Sequence, residues 1–177
     1  MELVLVATDK YSDPWWVNNM KHMTGIQEVS VITDVVFGGP YDKLRLFDLF
    51  KEDKQYIYFD LDVVITQPID FLLRDELHVL KAWWREPLHT PLNSSIMSWR
   101  GDHSFIYKKW IEDPERNLLK YHKGIDEFLY KEINLKTYGP VCTSYRYNGF
   151  DDAWPVVIFN QRADIMKRGG KWSKYLL

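Results

Sequence analysis

Short apolar runs alternate with amphipathic stretches along the first third of the chain. Three of these runs predict buried strands, at residues 3–7, 29–33 and 56–59. Asp13 and Pro14 have the form of a helix start, and residues 41–50 carry apolar side chains at helical spacing. This order of strand, helix, strand, helix and strand predicts a mostly parallel sheet with helices packed on it. Ligands bind beyond the carboxyl ends of the strands in such sheets.

The second half of the chain is less regular. Its pattern predicts further strands at residues 78–83, 94–99 and 156–159, and helices at residues 104–112 and 126–133. We find no internal repeat, low-complexity stretch or linker in the sequence. Residues 1–177 are therefore expected to form a single domain.

Composition excludes several classes of protein. Apolar residues make up 46% of the chain and charged residues 27%, which is typical of a soluble globular domain. The formal net charge of −2 argues against a dedicated nucleic-acid-binding protein, because such proteins carry a basic surface. Cys142 is the only cysteine, so an intrachain disulfide is excluded and a reducing, cytoplasmic setting is expected. The first apolar run is too short to span a bilayer, and we expect no targeting or transmembrane segment.

A pair of carboxylates follows the third predicted strand. Asp60 and Asp62 flank Leu61 directly after the apolar run, and no other Asp-x-Asp triplet occurs in the sequence. In extended backbone this spacing places both carboxylates on one face. Carboxylates beside a core require a cation or hydrogen bonds, and oxygen ligands suit Mg²⁺ or Mn²⁺. A divalent-cation site and a capped strand end are both compatible with the pair.

Several segments around this pair carry a resemblance to a known family. They lie at residues 39–47 (GPYDKLRLF), 56–65 (YIYFDLDVVI), 92–99 (LNSSIMSW), 124–129 (GIDEFL), 144–147 (SYRY) and 156–160 (VVIFN). In this order they resemble glycosyltransferases of the GT-A fold, particularly the family-8-like group of glycogenin and galactosyltransferases. The resemblance implies a Rossmann-like α/β fold with a mixed, mostly parallel sheet and helices on both faces.

The resemblance also implies an activity and its partners. A hexosyltransferase of this group moves a sugar from a nucleotide-sugar donor, here most simply a UDP-sugar, with the help of Mn²⁺ or Mg²⁺. The acceptor would be a carbohydrate, a protein or a lipid-linked molecule, and retention of the anomeric configuration is favoured. Assembly with further copies of the chain is left open.

The resemblance assigns the donor and metal roles residue by residue. The nucleotide would be held by Ala7, Thr8 and Tyr11, and Lys43 would lie near the phosphates or the sugar. The ribose and the metal would be bound by a second set of residues, namely Asp60, Leu61, Asp62 and Asn160, with Asp62 as the principal metal ligand.

A third set of residues would face the reacting sugar. Asn93 and Ser95 would hydrogen-bond the donor sugar, while Asp126 and Glu127 would face the transferred sugar or the acceptor. Asn93, Asp126 and Glu127 are the candidate catalytic residues. An ordinary helix cap at Asp126 and a solvated side chain at Lys43 are the simpler interpretations.

The chain departs from the family pattern at several positions. Ser95 replaces the usual glycine, and Glu127 stands where the family has glutamine. The family normally supplies a histidine near the C-terminus that completes the metal site, whereas this chain has Ile158 or Asn160 in that stretch. These changes fall within the predicted metal site and sugar site.

Two other functions are compatible with the sequence. A phosphatase of the haloacid dehalogenase class also has an apolar strand followed by Asp-x-Asp, with the first aspartate as nucleophile, and Asp151 and Asp152 resemble its late acidic pair. That motif normally lies on the first strand, however, and here it follows the third. A GT-A domain that binds a nucleotide-sugar or a protein partner without turnover is the other alternative.

Overall fold

The computed structural model describes residues 1–84, 90–159, 162–166 and 169–177. Within these ranges the strands are β1 (Glu2–Val6), β2 (Val29–Ile32), β3 (Gln55–Phe59), β4 (Val63–Ile65), β5 (His78–Lys81), β6 (Leu92–Arg100), β7 (Lys136–Tyr138), β8 (Cys142–Ser144) and β9 (Val156–Ile158). The α-helices are α1 (Pro14–Thr24), α2 (Leu46–Leu49), α3 (Ser104–Ile111), α4 (Pro114–Lys120), α5 (Ile125–Glu132), α6 (Tyr145–Asn148) and α7 (Arg162–Ile165). Short 3₁₀ helices lie at Asp9–Tyr11, Gly39–Arg45, Asp70–Leu72 and Lys171–Tyr175.

A six-stranded sheet forms the centre of the fold, in the order β2-β1-β3-β6-β5-β7. The β1–β2, β1–β3 and β5–β7 pairs are parallel, and only β6 runs against its neighbours on both sides. The expected mixed, mostly parallel α/β sheet is therefore confirmed.

Both faces of the central sheet are covered. On one face, Leu3, Leu5 and Ile57 pack against α1 and against a smaller sheet of order β4-β9-β8. On the other face, Tyr56 and Tyr58 belong to a second apolar cluster that includes side chains of α2, α3 and α5. Strands buried on both faces need continuous apolar runs, which is why the sequence pattern located β1 and β3.

The start of α1 agrees with its sequence signals. Pro14 is the first helical residue, and the Asp13 carboxylate accepts a hydrogen bond from the Trp15 backbone N–H at 2.9 Å. The helix ends at Gly25, whose φ of 66° is readily adopted only by glycine.

The predicted helix at residues 41–50 takes a different form. Gly39–Arg45 is a 3₁₀ helix, and only the turn Leu46–Leu49 is α-helical. The buried Asp42 carboxylate explains the tight start, because it accepts hydrogen bonds from the backbone N–H groups of Val36, Phe37 and Gly38 at 3.0, 3.0 and 3.2 Å. These bonds tie the first turn to the preceding loop.

Some strands of the structure were not predicted from the sequence, and one predicted strand is shorter than expected. The strands β4, β7 and β8 are only three residues long, too short for a periodic signal, and they are formed by pairing across the fold. The predicted strand at residues 78–83 ends at Lys81, after which the Trp83 indole N–H turns to donate to the Cys142 carbonyl at 2.9 Å.

Among the helices of the described ranges, none combines the length and the apolar character needed to cross a bilayer.

Replacement of Asp42 tests the role of its carboxylate in this fold. Asp42→Ala leaves three backbone donors without their acceptor, and we expect a loss of about 2 kcal/mol in the free energy of unfolding, measured by urea denaturation. Asp42→Asn keeps one acceptor oxygen and should lose less. Equal stability of the alanine variant and the native chain would contradict this role.

The single thiol provides a second test of the fold. Cys142 is 1% exposed, and burial raises the pKa of its thiol to about 12. The thiolate is the reactive form, and this shift lowers the thiolate fraction at pH 8 by roughly 1,000-fold. Labelling by a disulfide reagent at pH 8 should therefore be at least about 100-fold slower in the native protein than in urea. Cys142→Ser is the blank, and native labelling at the rate of an exposed thiol would refute this placement.

Candidate active site

Three strands bring polar residues to one edge of the central sheet. The parallel strands β1 and β3 both end there, followed by Thr8 and Asp60. The antiparallel strand β6 begins at the same edge, and the Asp60 backbone N–H donates to the Ser95 carbonyl at 2.8 Å. Residues far apart in sequence therefore meet beyond the carboxyl end of β3, as the topology predicts.

Two adjoining cavities open along this edge. The larger, of about 340 Å³, is lined by Val6, Thr8, Asp9, Lys10, Tyr11, Gly39, Pro40, Lys43, Tyr58, Asp60, Leu61 and Asp62. The smaller, of about 110 Å³, is lined by Pro40, Lys43, Asp60, Asn93, Ser94, Ser95, Lys123, Gly124, Ile125 and Asp126. Pro40, Lys43 and Asp60 line both, so the cavities form one cleft with Lys43 and Asp60 at the junction.

Asp60 is held by three side-chain donors. Its Oδ1 lies 2.5 Å from Lys43 Nζ and accepts a hydrogen bond from the Tyr58 hydroxyl, also at 2.5 Å. Its Oδ2 accepts from the Ser95 hydroxyl at 2.7 Å. The carboxylate is thereby fixed in orientation on both oxygen atoms.

Lys43 is buried, contrary to the simple expectation of a solvated lysine in a first helical turn. The residue is 9% exposed, and Nζ also donates to the Ser94 hydroxyl at 3.4 Å. Its ammonium lies 5.4 Å from the centre of the Tyr58 ring, within the range of a cation–π contact. The 3₁₀ helix that carries Lys43 directs it into the cleft, next to the buried Asp42 in sequence.

Asp62 has a sparser environment than Asp60. Its Oδ2 accepts a hydrogen bond from the Tyr11 hydroxyl at 3.0 Å, and among the described residues that is its one side-chain donor. Burial raises the pKa of the Asp62 carboxyl, and the negative charge of Asp60 raises it further, while Tyr11 and Lys43 act in the opposite direction. The Asp62 carbonyl accepts from the Phe159 backbone N–H at 3.0 Å, which anchors this position to the end of β9.

The smaller cavity is built from the start of β6 and the start of α5. The Asp126 carboxylate accepts a hydrogen bond from the Ser94 backbone N–H at 2.8 Å, and the Asn93 side-chain oxygen accepts from the Ser95 backbone N–H at 3.0 Å. Asp126 is the second residue of α5, after the N-cap Gly124 and Ile125, and its carboxylate is bound to a neighbouring strand. Gly124 begins this segment with a φ of 95°, and a side chain there would approach Pro40.

Two of the predicted site residues, Ala7 and Glu127, are not brought to the cleft. Ala7 is 3% exposed and packs in the core behind β1. Glu127 lies on α5, and its carboxylate is bound by Lys131 Nζ at 2.7 Å and by the Lys123 backbone N–H at 3.2 Å. Glu127 directly follows Asp126, which lines the cleft, but the turn of the helix directs the Glu127 side chain elsewhere. Asn160 lies outside the described residues.

Sequence reasoning missed several residues of the cleft, of which Tyr58 is the most closely engaged. It lies two positions before Asp60 on the same face of β3, so strand alternation was a signal that could have found it. Burial raises the pKa of the Tyr58 phenol well above its ordinary value, and the charge of Asp60 adds to this, so the hydroxyl remains a donor. Lys10, Ser94 and Lys123 carry no comparable pattern.

The two carboxylates suit a divalent cation. Asp60 and Asp62 offer oxygen ligands beside a cavity, and their mutual repulsion would be relieved by a positive charge. The part of the chain that the structure describes contains no group of three or more His, Cys, Asp or Glu side chains arranged for a metal. A cation here would depend on ligand oxygens or water to complete its coordination.

Neither a protein-family model nor a curated protein matches the sequence. Solved structures do match the fold. The glycosyltransferase GlyE of Streptococcus pneumoniae TIGR4 aligns with a TM-score of 0.69 at 12% identity, covering 98% of this chain. This chain spans 60% of the GlyE chain.

Two further matches extend over nearly the whole of both chains. The galactosyltransferase LgtC, solved with donor and acceptor sugar analogues, aligns with a TM-score of 0.65 at 10% identity over 99% of this chain and 94% of its own. A glycosyltransferase involved in glycosylation of the major capsid of PBCV-1 aligns with a TM-score of 0.64 at 10% identity over 93% and 97%. The chain therefore has the GT-A fold that these glycosyltransferases share.

Proposed function

We propose that this chain is a glycosyltransferase that moves a sugar from a nucleotide-sugar donor to an acceptor. The observation that carries the proposal is the meeting of Asp60, Asp62 and Lys43 with Asn93 and Asp126 in one two-part cleft. This cleft lies at the sheet edge where α/β folds bind their ligands. The likeness to glycosyltransferases, one of them solved with donor and acceptor sugar analogues, supports the same function.

The two cavities suit the two halves of a nucleotide-sugar. The larger one would receive the nucleotide, with Thr8, Tyr11 and Leu61 in its wall. The smaller one offers Asn93, Ser95 and Asp126, whose amide, hydroxyl and carboxylate groups can bond sugar hydroxyls. The diphosphate would then lie at the junction, beside Lys43.

A divalent cation on Asp62 and Asp60, with Asn160 as a further candidate ligand, would offset the charge of the departing diphosphate. The residues of this chain supply positioning and fixed charge: Lys43 provides a cation at the junction, and Asp126 and Asn93 orient the sugar. Glu127 remains only a candidate by resemblance, since its carboxylate is engaged elsewhere.

The choice of donor, metal, transferred sugar and stereochemistry rests on the resemblance to the family-8-like glycosyltransferases. We propose a UDP-sugar donor, Mn²⁺ or Mg²⁺ as the metal, hexosyl transfer with retention, and a catalytic domain spanning residues 1–177. A cytoplasmic setting is proposed from the single cysteine.

The phosphatase alternative is disfavoured by the surroundings of its two acidic pairs. Asp60, which would be the nucleophile, has both oxygens engaged by Lys43, Tyr58 and Ser95. Asp152 binds Lys174 and Tyr175 at the surface, at 2.9 and 3.0 Å, and neither it nor Asp151 lines the cleft.

Ligand-dependent stability tests the proposed donor site. UDP-, GDP- and other nucleotide-sugars, each with Mn²⁺, Mg²⁺ or EDTA, are compared by thermal denaturation. A donor at a hundredfold excess over its Kd stabilises the native state by about 2.7 kcal/mol. We expect one donor to raise the melting temperature with metal and not with EDTA. No response to any donor would contradict the proposal, and a response only to Mg²⁺ with a phosphate mimic would favour the phosphatase.

Replacement of Asp62 tests turnover. Asp62→Asn removes a buried charge beside Asp60, so the variant should fold as well as the native chain. We expect release of nucleoside diphosphate from the donor to fall by about 100-fold or more. Asp70→Asn, at an exposed position outside the cleft, is the matched control. Full turnover by Asp62→Asn would refute the mechanism, and donor binding by the native chain without any turnover would identify a binding domain.

A further inference from the structure

Two tryptophans, Trp83 and Trp154, form a stacked pair outside the cleft. Their ring centres lie 5.1 Å apart and their planes are inclined by 24°. Trp83 also meets the buried Trp84 at a right angle, which ties the pair to the core. Neither member of the pair lines the two cavities of the candidate active site. Trp83 is nevertheless 41% exposed, so part of its ring is available to a ligand.

Both rings of the tryptophan pair are held in place. The Trp83 indole N–H donates to the Cys142 carbonyl at 2.9 Å. Thr66 fixes the segment that carries Trp154, because its hydroxyl donates to the Trp154 carbonyl at 2.6 Å and its backbone N–H donates to the Pro155 carbonyl at 2.9 Å. A ligand that stacks on Trp83 therefore meets a surface that is already ordered, which lowers the entropic cost of binding.

Strand pairing in the central sheet places Trp83 at the same edge as the cleft. Leu80 of β5 pairs with Asn93 of β6, which lines the smaller cavity. The Ala82 backbone N–H then donates to the Pro91 carbonyl at 2.8 Å, one residue before Trp83. Trp83 thus lies beyond the end of β5, and its backbone is within roughly 11 Å of Leu80 because three residues cannot span more.

The smaller sheet connects the tryptophan pair to the other part of the cleft. Cys142, to which Trp83 is bonded, pairs with Val156 of β9. Three residues further along the chain, the Phe159 backbone N–H donates to the carbonyl of Asp62, which lines the larger cavity. Three residues of a strand span roughly 10 Å. The pair therefore lies within the length of a few linked sugar rings from the cleft.

The chemistry of the pair suits a neutral sugar. The face of an indole ring is electronegative, and it attracts the C–H groups of a pyranose ring, which the sugar oxygens make electropositive. The charges near the pair are balanced. Asp152 is bound by Lys174 at 2.9 Å. Lys81, two residues before Trp83, and Asp151, three before Trp154, carry opposite signs. Neither an acidic nor a basic ligand is favoured by this surface.

The exposed area of Trp83 also fits a sugar better than a protein. A tryptophan side chain offers at most roughly 250 Å², so an exposure of 41% leaves about 100 Å² in contact with solvent. A stable protein interface buries about 800 Å² on each partner. One pyranose ring, in contrast, covers an area similar to that of one indole ring.

We propose that Trp83, supported by Trp154, is a carbohydrate-binding platform that stacks on one ring of a neutral oligosaccharide acceptor. The end of the acceptor that receives the transferred sugar would lie at the smaller cavity, and an internal ring would lie on Trp83. Among a carbohydrate, a protein and a lipid-linked molecule as acceptor, this platform selects a carbohydrate of several units. Its role in acceptor binding rests on the proposed glycosyl transfer, whereas carbohydrate binding at Trp83 does not.

Binding of oligosaccharides in the absence of donor and metal tests the platform. A glycan array of neutral and acidic oligosaccharides identifies the one that binds best, and isothermal titration calorimetry then gives its Kd. We expect a neutral oligosaccharide, with Trp83→Ala raising the Kd by at least about tenfold. Trp83→Phe keeps an aromatic ring and should lie between the alanine variant and the native chain, which separates loss of the platform from loss of the fold.

Phe71→Ala is the matched control for these variants. Phe71 is 39% exposed, belongs to the 3₁₀ helix Asp70–Leu72 and lines neither cavity of the cleft. Its replacement should leave the Kd within about twofold of native. Native affinity in Trp83→Ala, a preference for acidic oligosaccharides, or no binding of any oligosaccharide by the native chain would overturn the proposal.

The dependence of the kinetics on acceptor length connects the platform to transfer. With the donor identified by thermal denaturation, Trp83→Ala should raise the KM for the selected oligosaccharide by about tenfold and leave kcat within about twofold, because Trp83 binds the acceptor away from the reacting atoms. The KM for the corresponding monosaccharide, which is too short to reach both places, should not change. An equal rise in KM for both acceptors, or a fall in kcat alone, would contradict the role in acceptor binding.

Failure of the proposed function and failure of the platform give different results. If an oligosaccharide binds at Trp83 and no donor is consumed, glycosyl transfer is wrong and the carbohydrate site stands. If a donor is consumed and no oligosaccharide binds, the platform is wrong and glycosyl transfer stands.

Discussion

The pairing of β6 with β3 is the constraint on which the cleft depends. Because β6 runs antiparallel to β3, its first residues lie beside the last residues of β3, and Ser95 bonds the backbone of Asp60. A parallel strand in this position would carry residues 93–95 to the opposite edge of the sheet. The one reversed strand in an otherwise parallel arrangement thus supplies the polar wall that faces the carboxylates.

Charge within the cleft is balanced unevenly. Asp60 is paired with Lys43, whereas Asp62 is buried near a like charge, and among the described side chains only the Tyr11 hydroxyl donates to it. Such an arrangement costs stability in the absence of a cation, and proteins retain unfavourable charges of this kind mainly at functional sites. The imbalance is the physical reason why we place the ligand-dependent chemistry at Asp62.

Sequence reasoning located the parts of this protein that local patterns determine. The strands β1 and β3 have continuous apolar runs, α1 has its cap and proline, and the Asp-x-Asp triplet follows a buried strand, so all of these were predicted. The tertiary environment decides the rest. The hydrogen bonds of Asp42 tighten a predicted α-helix into a 3₁₀ helix. The Lys131 ammonium on α5 and the Lys123 backbone N–H hold the Glu127 carboxylate away from the cleft. The roles assigned to the site residues stay predictions, because contacts locate a side chain without revealing what it binds.

The bond between the Phe159 N–H and the Asp62 carbonyl has a consequence for how the molecule assembles. It joins the short strand β4 to β9, so two segments distant along the chain must meet before the backbone around Asp62 acquires its partners. Closing so long a loop is entropically costly and slow relative to local helix formation. The cleft should consequently be among the last regions to become ordered during folding, after the β1–β2–β3 unit has formed.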